Sequence, residues 1–260
     1  MPAPPDSAAL DAVAALLGAR PEVLFITGAG MSADSGLPTY RGIGGLYEDV
    51  DVDEGVPIEE ALSGPMFRRR PEVTWKYIKQ IEAACRGAGP NDGHRALAAL
   101  ERHLDRVWIL TQNVDGLHHA GGSKQVIAIH GDVHDLNCTR CAWTDRVEDY
   151  AGLADLPTCP SCGAVTRPRV VLFEEMLPSG PIDMLGRELA AGFDLVVVIG
   201  TTAVFPYIAG PVFSAARAGI PTVEINPGHS EVSHVVQHRI RSGAAEALAG
   251  VLERLGLSIS

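Results

Sequence analysis

Leu195-Val196-Val197-Val198-Ile199 is apolar at every position and stands between Asp194 and Gly200. A strand with no polar face must be covered on both sides, which is the condition of a parallel sheet layered between helices. The pattern recurs at residues 23–27, ended by Gly28, and at 106–111, 125–129, 170–173 and 222–225. Between these runs, apolar residues fall at helical spacing over 94–104, 211–218 and 244–255. A further helix is expected over 8–19, with Leu10, Val13, Leu16 and Leu17 on one face. Strands that alternate with helices in this way predict an open, doubly wound, Rossmann-like α/β sheet.

Two segments interrupt the alternation. Residues 42–91 carry helix-like pieces at 57–62 and 71–86, and residues 135–168 hold four of the five cysteines. Inserted between sheet strands, they are expected to build one smaller lobe. The main domain would then comprise residues 1–43, 92–134 and 169–260, and the small lobe 44–91 and 135–168.

The formal charge of −11 over 260 residues repels phosphate backbones and attracts basic peptides, so general nucleic-acid binding is not expected. No apolar run approaches the roughly 20 residues of a membrane span. The start, Met1-Pro2-Ala3-Pro4-Pro5-Asp6, shows no basic region followed by an apolar one. A cytoplasmic protein is the expectation.

Thr27-Gly28-Ala29-Gly30-Met31-Ser32-Ala33 places G-x-G-x-x-A after the first strand and before an expected helix start. The first glycine permits a tight turn, the second lets a pyrophosphate approach the backbone, and Ala33 lets helix and strand pack closely. The helix N-terminus would offer free N–H groups to the phosphate. The acid that usually follows about 20 residues later would fall among residues 48–53, in irregular chain. Asn226, at the end of a later strand, is a candidate for the adenosine ribose or a turn residue before Pro227.

Cys138-x2-Cys141 and Cys159-x2-Cys162 have 17 residues between them, within the spacing of a zinc ribbon. Four thiolates suit tetrahedral zinc and leave no ligand position for water, so the site is expected to be structural. Cys85 stands apart. Gln112, Asn113, Asp115 and His130 lie after the second and third strands, at the carboxyl edge where such sheets bind ligands. They supply amides, one carboxylate and one group that titrates near neutrality, the equipment of a general-base enzyme acting on a polar ligand.

The Gly28–Arg41 stretch, Thr111-Gln112-Asn113-Val114-Asp115-Gly116-Leu117-His118, His130-Gly131 and the cysteine quartet, in this order, resemble the sirtuin (Sir2) family of NAD-dependent protein deacylases. The resemblance implies that Gly28, Ala29, Gly30 and Ser32 form the NAD phosphate loop, with Arg41 beside the pyrophosphate. It implies a ribose contact for Gln112, a nicotinamide-pocket role for Asn113 and Asp115, and catalysis by His130. Gly200, Thr201 and Thr202 resemble the Gly-Thr-Ser loop at the cofactor, Asn226 the adenosine-ribose contact, and the four cysteines the structural zinc ligands. An acyl-lysine peptide would add as a strand to residues 170–173, touching Val171, Phe173 and Glu174. The products would be nicotinamide, O-acyl-ADP-ribose and free lysine, with His130 taking a ribose hydroxyl proton so that this oxygen attacks the imidate carbon. Mono-ADP-ribosyl transfer on the same fold and a non-catalytic NAD-binding scaffold stay open as alternatives.

The chain departs from the family at two places that should face the peptide. The usual Phe-Gly-Glu is Phe173-Glu174-Glu175, which puts a charged, conformationally restricted residue where glycine is customary. The loop from Gly200 to Pro206 is one residue short. Thr39-Tyr40-Arg41 resembles the branch containing desuccinylases, yet Ile78 and Ile81 align with that branch's carboxylate-binding Tyr and Arg. An acetyl or longer apolar acyl group is therefore expected.

Overall fold

The computed structural model describes residues 6–37 and 55–259; Arg41, expected beside the pyrophosphate, and the Thr39–Tyr40 pair lie outside them. Asp6 caps α1 (Ser7–Gly18) by accepting the Ala8 N–H at 3.0 Å, and the helix buries Leu10, Val13, Ala14 and Leu17. β1 (Glu22–Thr27) follows and is buried from Val23 onward.

Instead of the expected α-helix, β1 leads into two single 3-10 turns, Ala29–Met31 and Ala33–Ser35. Gly30 donates its N–H to Gly200, Met31 turns back on Gly28 and Ser32 on Ala29. These short-range bonds tighten the chain, and Gly36 stops it in the left-handed conformation at φ 81°.

Four helices follow: α2 (Ile58–Ala61), α3 (Gly64–Arg69), α4 (Pro71–Cys85) and α5 (Asp92–His103). Ser63 caps α3, Pro71 opens α4, and Asn91 forms a reciprocal cap with His94 at the start of α5. The remaining order is β2 (Arg106–Thr111), α6 (Leu117–Ala120), β3 (Val126–Ala128), β4 (Gly131–Cys138), β5 (Thr144–Arg146), β6 (Thr166–Val170), α7 (Ser179–Ala191), β7 (Leu195–Ile199), α8 (Pro206–Arg217), β8 (Thr222–Ile225), β9 (His238–Ile240) and α9 (Ala244–Leu255).

Among the described residues, six strands form one parallel sheet in the order β3-β2-β1-β7-β8-β9. Alternate residues of β1 enter opposite cores. Val23 and Phe25 pack with α1, α5 and α9, whereas Leu24 and Ile26 pack with α7 and α8. The sheet is thus covered on both faces, as its all-apolar strands require.

Residues 170–173 were expected to be another strand of this sheet, and they are not. β6 ends at Val170 and pairs antiparallel with β4, so that β5-β4-β6 make a separate small sheet. The apolar side chains there serve a third core instead, which joins Leu172 to Val133, Leu136 and Tyr150 and to Met66, Trp75 and Ile78 from α3 and α4. Trp75 is fully buried and donates its indole N–H to the Thr166 carbonyl at 2.8 Å, tying α4 to β6. No helix among the described residues is long and apolar enough to cross a membrane.

Candidate active site

The chain leaves β1, β2, β7 and β8 at Gly28, Gln112, Gly200 and Asn226, and β3 is followed after Ile129 by His130. Because all these strands are parallel, the five departures lie at one sheet edge. β1 is flanked by β2 on one side and by β7 on the other, so the strand order reverses there and opens a crevice.

The crevice floor is an interlock of glycines. Gly30 donates to the Gly200 carbonyl at 2.8 Å. A Cβ on Gly28 would sit 2.6 Å from that of Thr201, and one on Gly30 would sit 2.7 Å from the Gly200 Cα. The second glycine was expected to make room for a phosphate; in the structure the Gly200 backbone fills the space beside its Cα. The N–H groups of Gly28, Gly30, Met31 and Ser32 are all bonded to carbonyls.

Side chains cross-link the strand ends. Gln112 donates to Thr201 Oγ1 at 2.9 Å, and Asn226 donates to the Thr201 carbonyl at 2.9 Å while accepting from Gly228 N–H. Asn226 thus also closes the turn through Pro227. Thr201 is buried and Thr202 exposed. Asn113 donates to the Gly28 carbonyl and to Ser32 Oγ, at 3.0 and 3.1 Å. Ser32 in turn donates to Asp115 Oδ2 at 2.7 Å, and Leu117 N–H reaches Oδ1 at 3.0 Å. Burial raises the Asp115 carboxyl above its usual range despite these two donors. Ala29, half-buried, lies on the turn above them.

His130 is half-buried. Its Nδ1 lies 2.9 Å from the Gln112 carbonyl, which can only accept, so Nδ1 carries the proton. Its Nε2 lies 2.7 Å from the Tyr207 hydroxyl. Burial pushes the imidazole below its ordinary value, against an upward pull from the Gln112 carbonyl. The ring is neutral at physiological pH, with a lone pair on Nε2. Phe205 and Tyr207 stack on each other, 5.4 Å apart, and both stand nearly perpendicular to the imidazole.

On the other side of His130 its carbonyl accepts Val171 N–H at 2.9 Å. Phe173 bonds through both its N–H and its carbonyl, to Leu62 and Gly64, and Leu172 N–H reaches the Glu175 carboxylate at 3.0 Å. The N–H groups of residues 171–173 are thus already hydrogen-bonded within the protein. Glu175 is held by Arg167 through two bonds of 2.7 and 2.9 Å. Glu174 is exposed and adopts φ 62°, the left-handed conformation in which glycine is customary. With Phe173, Glu59, Glu60 and Met66 it lines a cleft of about 460 Å³.

The four sulfurs of Cys138, Cys141, Cys159 and Cys162 lie within 4.8 Å of one another. A tetrahedral zinc ion with bonds of about 2.3 Å sets its sulfurs about 3.8 Å apart. The pairs Cys138–Cys162 and Cys141–Cys159 are at 3.4 and 3.6 Å, and Cys138 Sγ accepts the N–H groups of Arg140 and Cys141 at 3.3 Å. The donor set and its spacing fit zinc.

The Sir2 family profile matches residues 28–206. The chain belongs to the Sir2 family. It is 48% identical over 246 residues to NAD-dependent protein deacylase 2 of Pseudomonas aeruginosa, covering 94% of this chain and 96% of that one. The namesake from Pseudomonas syringae is 47% identical, covering 95% and 100%. A solved Sir2 homologue in complex with NAD superposes with a TM-score of 0.84 at 33% identity, covering 96% and 95%. A Sir2 variant with a deacetylated p53 peptide and 3′-O-acetyl ADP-ribose gives 0.84 at 28% identity, covering 96% and 99%.

Tyr207 and Phe205 of this Sir2 chain were missed in the sequence. The available signal was positional: Phe205-Pro206-Tyr207 begins α8 just beyond the β7 loop, at the sheet edge where ligands bind. In this Sir2 chain Lys79 donates to the Leu153 carbonyl at 2.9 Å. Tyr77 and Ile78 are buried in the small core.

Proposed function

We propose that the protein is an NAD-dependent protein-lysine deacylase that yields nicotinamide, O-acyl-ADP-ribose and free lysine. The observation that carries this is the state of His130, neutral, with its proton fixed on Nδ1 and its Nε2 an acceptor at the crevice between the strand ends. When NAD is bound, its ribose carbon is the electrophile and nicotinamide the leaving group.

The chain's own residues hold and deprotonate. His130 Nε2 takes the proton of a ribose hydroxyl, and the Gln112 carbonyl stabilises the imidazolium through Nδ1–H. Ser32, Asn113 and Asp115, already bonded to one another, form the polar floor for the nicotinamide end. The Gly28–Gly30 turn and the Gly200–Thr202 loop, with Gln112 and Asn226, surround the phosphates and riboses. Phe173, Val171 and Glu174 border the acyl-lysine. The four cysteines would hold one structural zinc in a smaller lobe whose separate core supports its division from the Rossmann-like domain.

A basic or neutral peptide, not nucleic acid, suits the net charge of −11. Five free thiols, four of them clustered, suit a reducing cytoplasm. Incubation with NAD and an acetyl-lysine peptide, followed by mass spectrometry, tests the reading. Nicotinamide and O-acetyl-ADP-ribose should form together and fall by about 10² or more in His130→Ala. Label from NAD retained on protein would replace deacylation by mono-ADP-ribosyl transfer, and NAD binding with no turnover of any acyl peptide would leave a scaffold.

A further inference from the structure

The Tyr207 hydroxyl occupies the one lone pair that the base needs. A neutral imidazole has one donor and one acceptor nitrogen. With Nδ1 committed to Gln112, the acceptor is Nε2, and the phenol sits on it at 2.7 Å. Tyr207 is a donor here, because burial pushes its own ionisation up to about 12.

We propose that Tyr207 is a positioning residue that holds His130 in its Nε2-acceptor form in the free enzyme and stands in for the substrate hydroxyl that later replaces it. A ribose hydroxyl about to lose its proton to Nε2 must take that same lone pair, so the phenol has to leave as the sugar arrives. The exchange conserves hydrogen bonds at Nε2, one O–H for another, which keeps its cost small. Phe205 lies in an offset stack on Tyr207 and gives the ring its fixed approach, both rings standing at 85° to the imidazole. Pro206, between them at the start of α8, fixes the backbone that carries the pair. Among the described residues no charged group shifts His130, so the phenol is the titratable group that faces it. The sugar-displacement half of this inference rests on the deacylase reading; the hydrogen bond itself does not.

The test is nitrogen-15 NMR of histidine-labelled full-length protein, with His130→Ala to assign the signals. Removing a donor from Nε2 makes protonation easier, so Tyr207→Phe should raise the His130 pKa by about 0.5 to 1 unit. The acid limb of kcat/KM should move up equally, and that of kcat should stay, because kcat reports the complex in which the phenol has gone. Saturating both proteins with ADP-ribose should erase the difference between them. Should the Phe variant fold poorly, carbon-13 signals of the wild-type Tyr207 ring should still shift on addition of ADP-ribose. Identical His130 pKa and Nε2 signals in the two free proteins, or a Tyr207 ring indifferent to ADP-ribose, would overturn the proposal. An active His130→Ala enzyme would instead remove the base assignment and leave the NMR result on Tyr207 standing.

Discussion

Gly30 and Gly200 occupy each other's side-chain space. A Cβ on Gly30 would lie 2.7 Å from the Gly200 Cα, and a Cβ on Gly200 would lie 2.6 Å from the Gly30 carbonyl carbon and the Met31 nitrogen. Gly200 also needs φ 58°. Gly200→Ala therefore meets both a left-handed penalty and a backbone collision, together about 3 kcal/mol. A thermal melt should show the loss, and calorimetric titration should show NAD binding weakened by more than tenfold at a temperature where the variant is still folded.

The low His130 pKa fixes the sign of the pH response. A base must be unprotonated, so a depressed pKa keeps it competent further into acid, and the acid limb of wild-type kcat/KM should fall below about 6.5. For stability the same depression acts in the opposite sense. The folded chain binds this proton less tightly than the unfolded one, so His130 protonation costs stability as pH falls through 6.5. Rate profiles and denaturant melts between pH 5 and 8 check the two signs.

Zinc removal should act on the small sheet first. Cys159 is buried, and Cys138 is paired in register with Thr166, the residue that accepts the Trp75 indole. Cys159→Ser should drop the metal content from about one zinc per chain to none. The melt should split in two, with the small core unfolding below the parallel sheet. Atomic absorption and calorimetry measure both.

The acyl pocket should discriminate against negative charge. Ile78 and Tyr77 are buried in the small core, and Lys79 is bound to the Leu153 carbonyl and to Asp155. Acetyl-lysine should exceed succinyl-lysine in kcat/KM by at least about tenfold, since among the described residues the aligned positions offer a buried carboxylate no cation. A comparison of the two peptides decides this, and a succinyl preference would reverse the assignment.

The sequence revealed those parts of the fold whose residues obey one rule. β2, β7, β8 and α9 were located to the residue, because their apolar runs or helical stripes have no competing use. β9 was invisible: it spans three residues, and its Arg239 serves the buried Glu224 at the sheet edge. α7 buries only Leu185 and begins Ser-Gly-Pro, so it shows neither a stripe nor a cap. β4 lost its alternation to the register shift between Asp132 and Leu136. At the site, motif residues were readable because their types and order are unusual together. Tyr207 was not, since its importance comes from where α8 starts in space, and the self-bonded state of residues 171–173 depends on partners as distant as His130, Leu62 and Gly64.

The ribbon leaves the parallel sheet at His130, one residue before β4, and returns at Val171, one residue after β6; a hydrogen bond of 2.9 Å from the Val171 N–H to the His130 carbonyl ends the β4–β6 ladder that pairs Gly131 with Val170 and Asp132 with Arg169. The excursion is therefore a closed loop cinched at its neck. Insertions or deletions within the Cys138–Cys141 or Cys159–Cys162 turns would break the thiolate set at the far end, whereas a lesion at the neck reaches the imidazole directly. The two ends of this module thus answer to different demands, its tip to the geometry of the metal ligands and its base to the position of the imidazole.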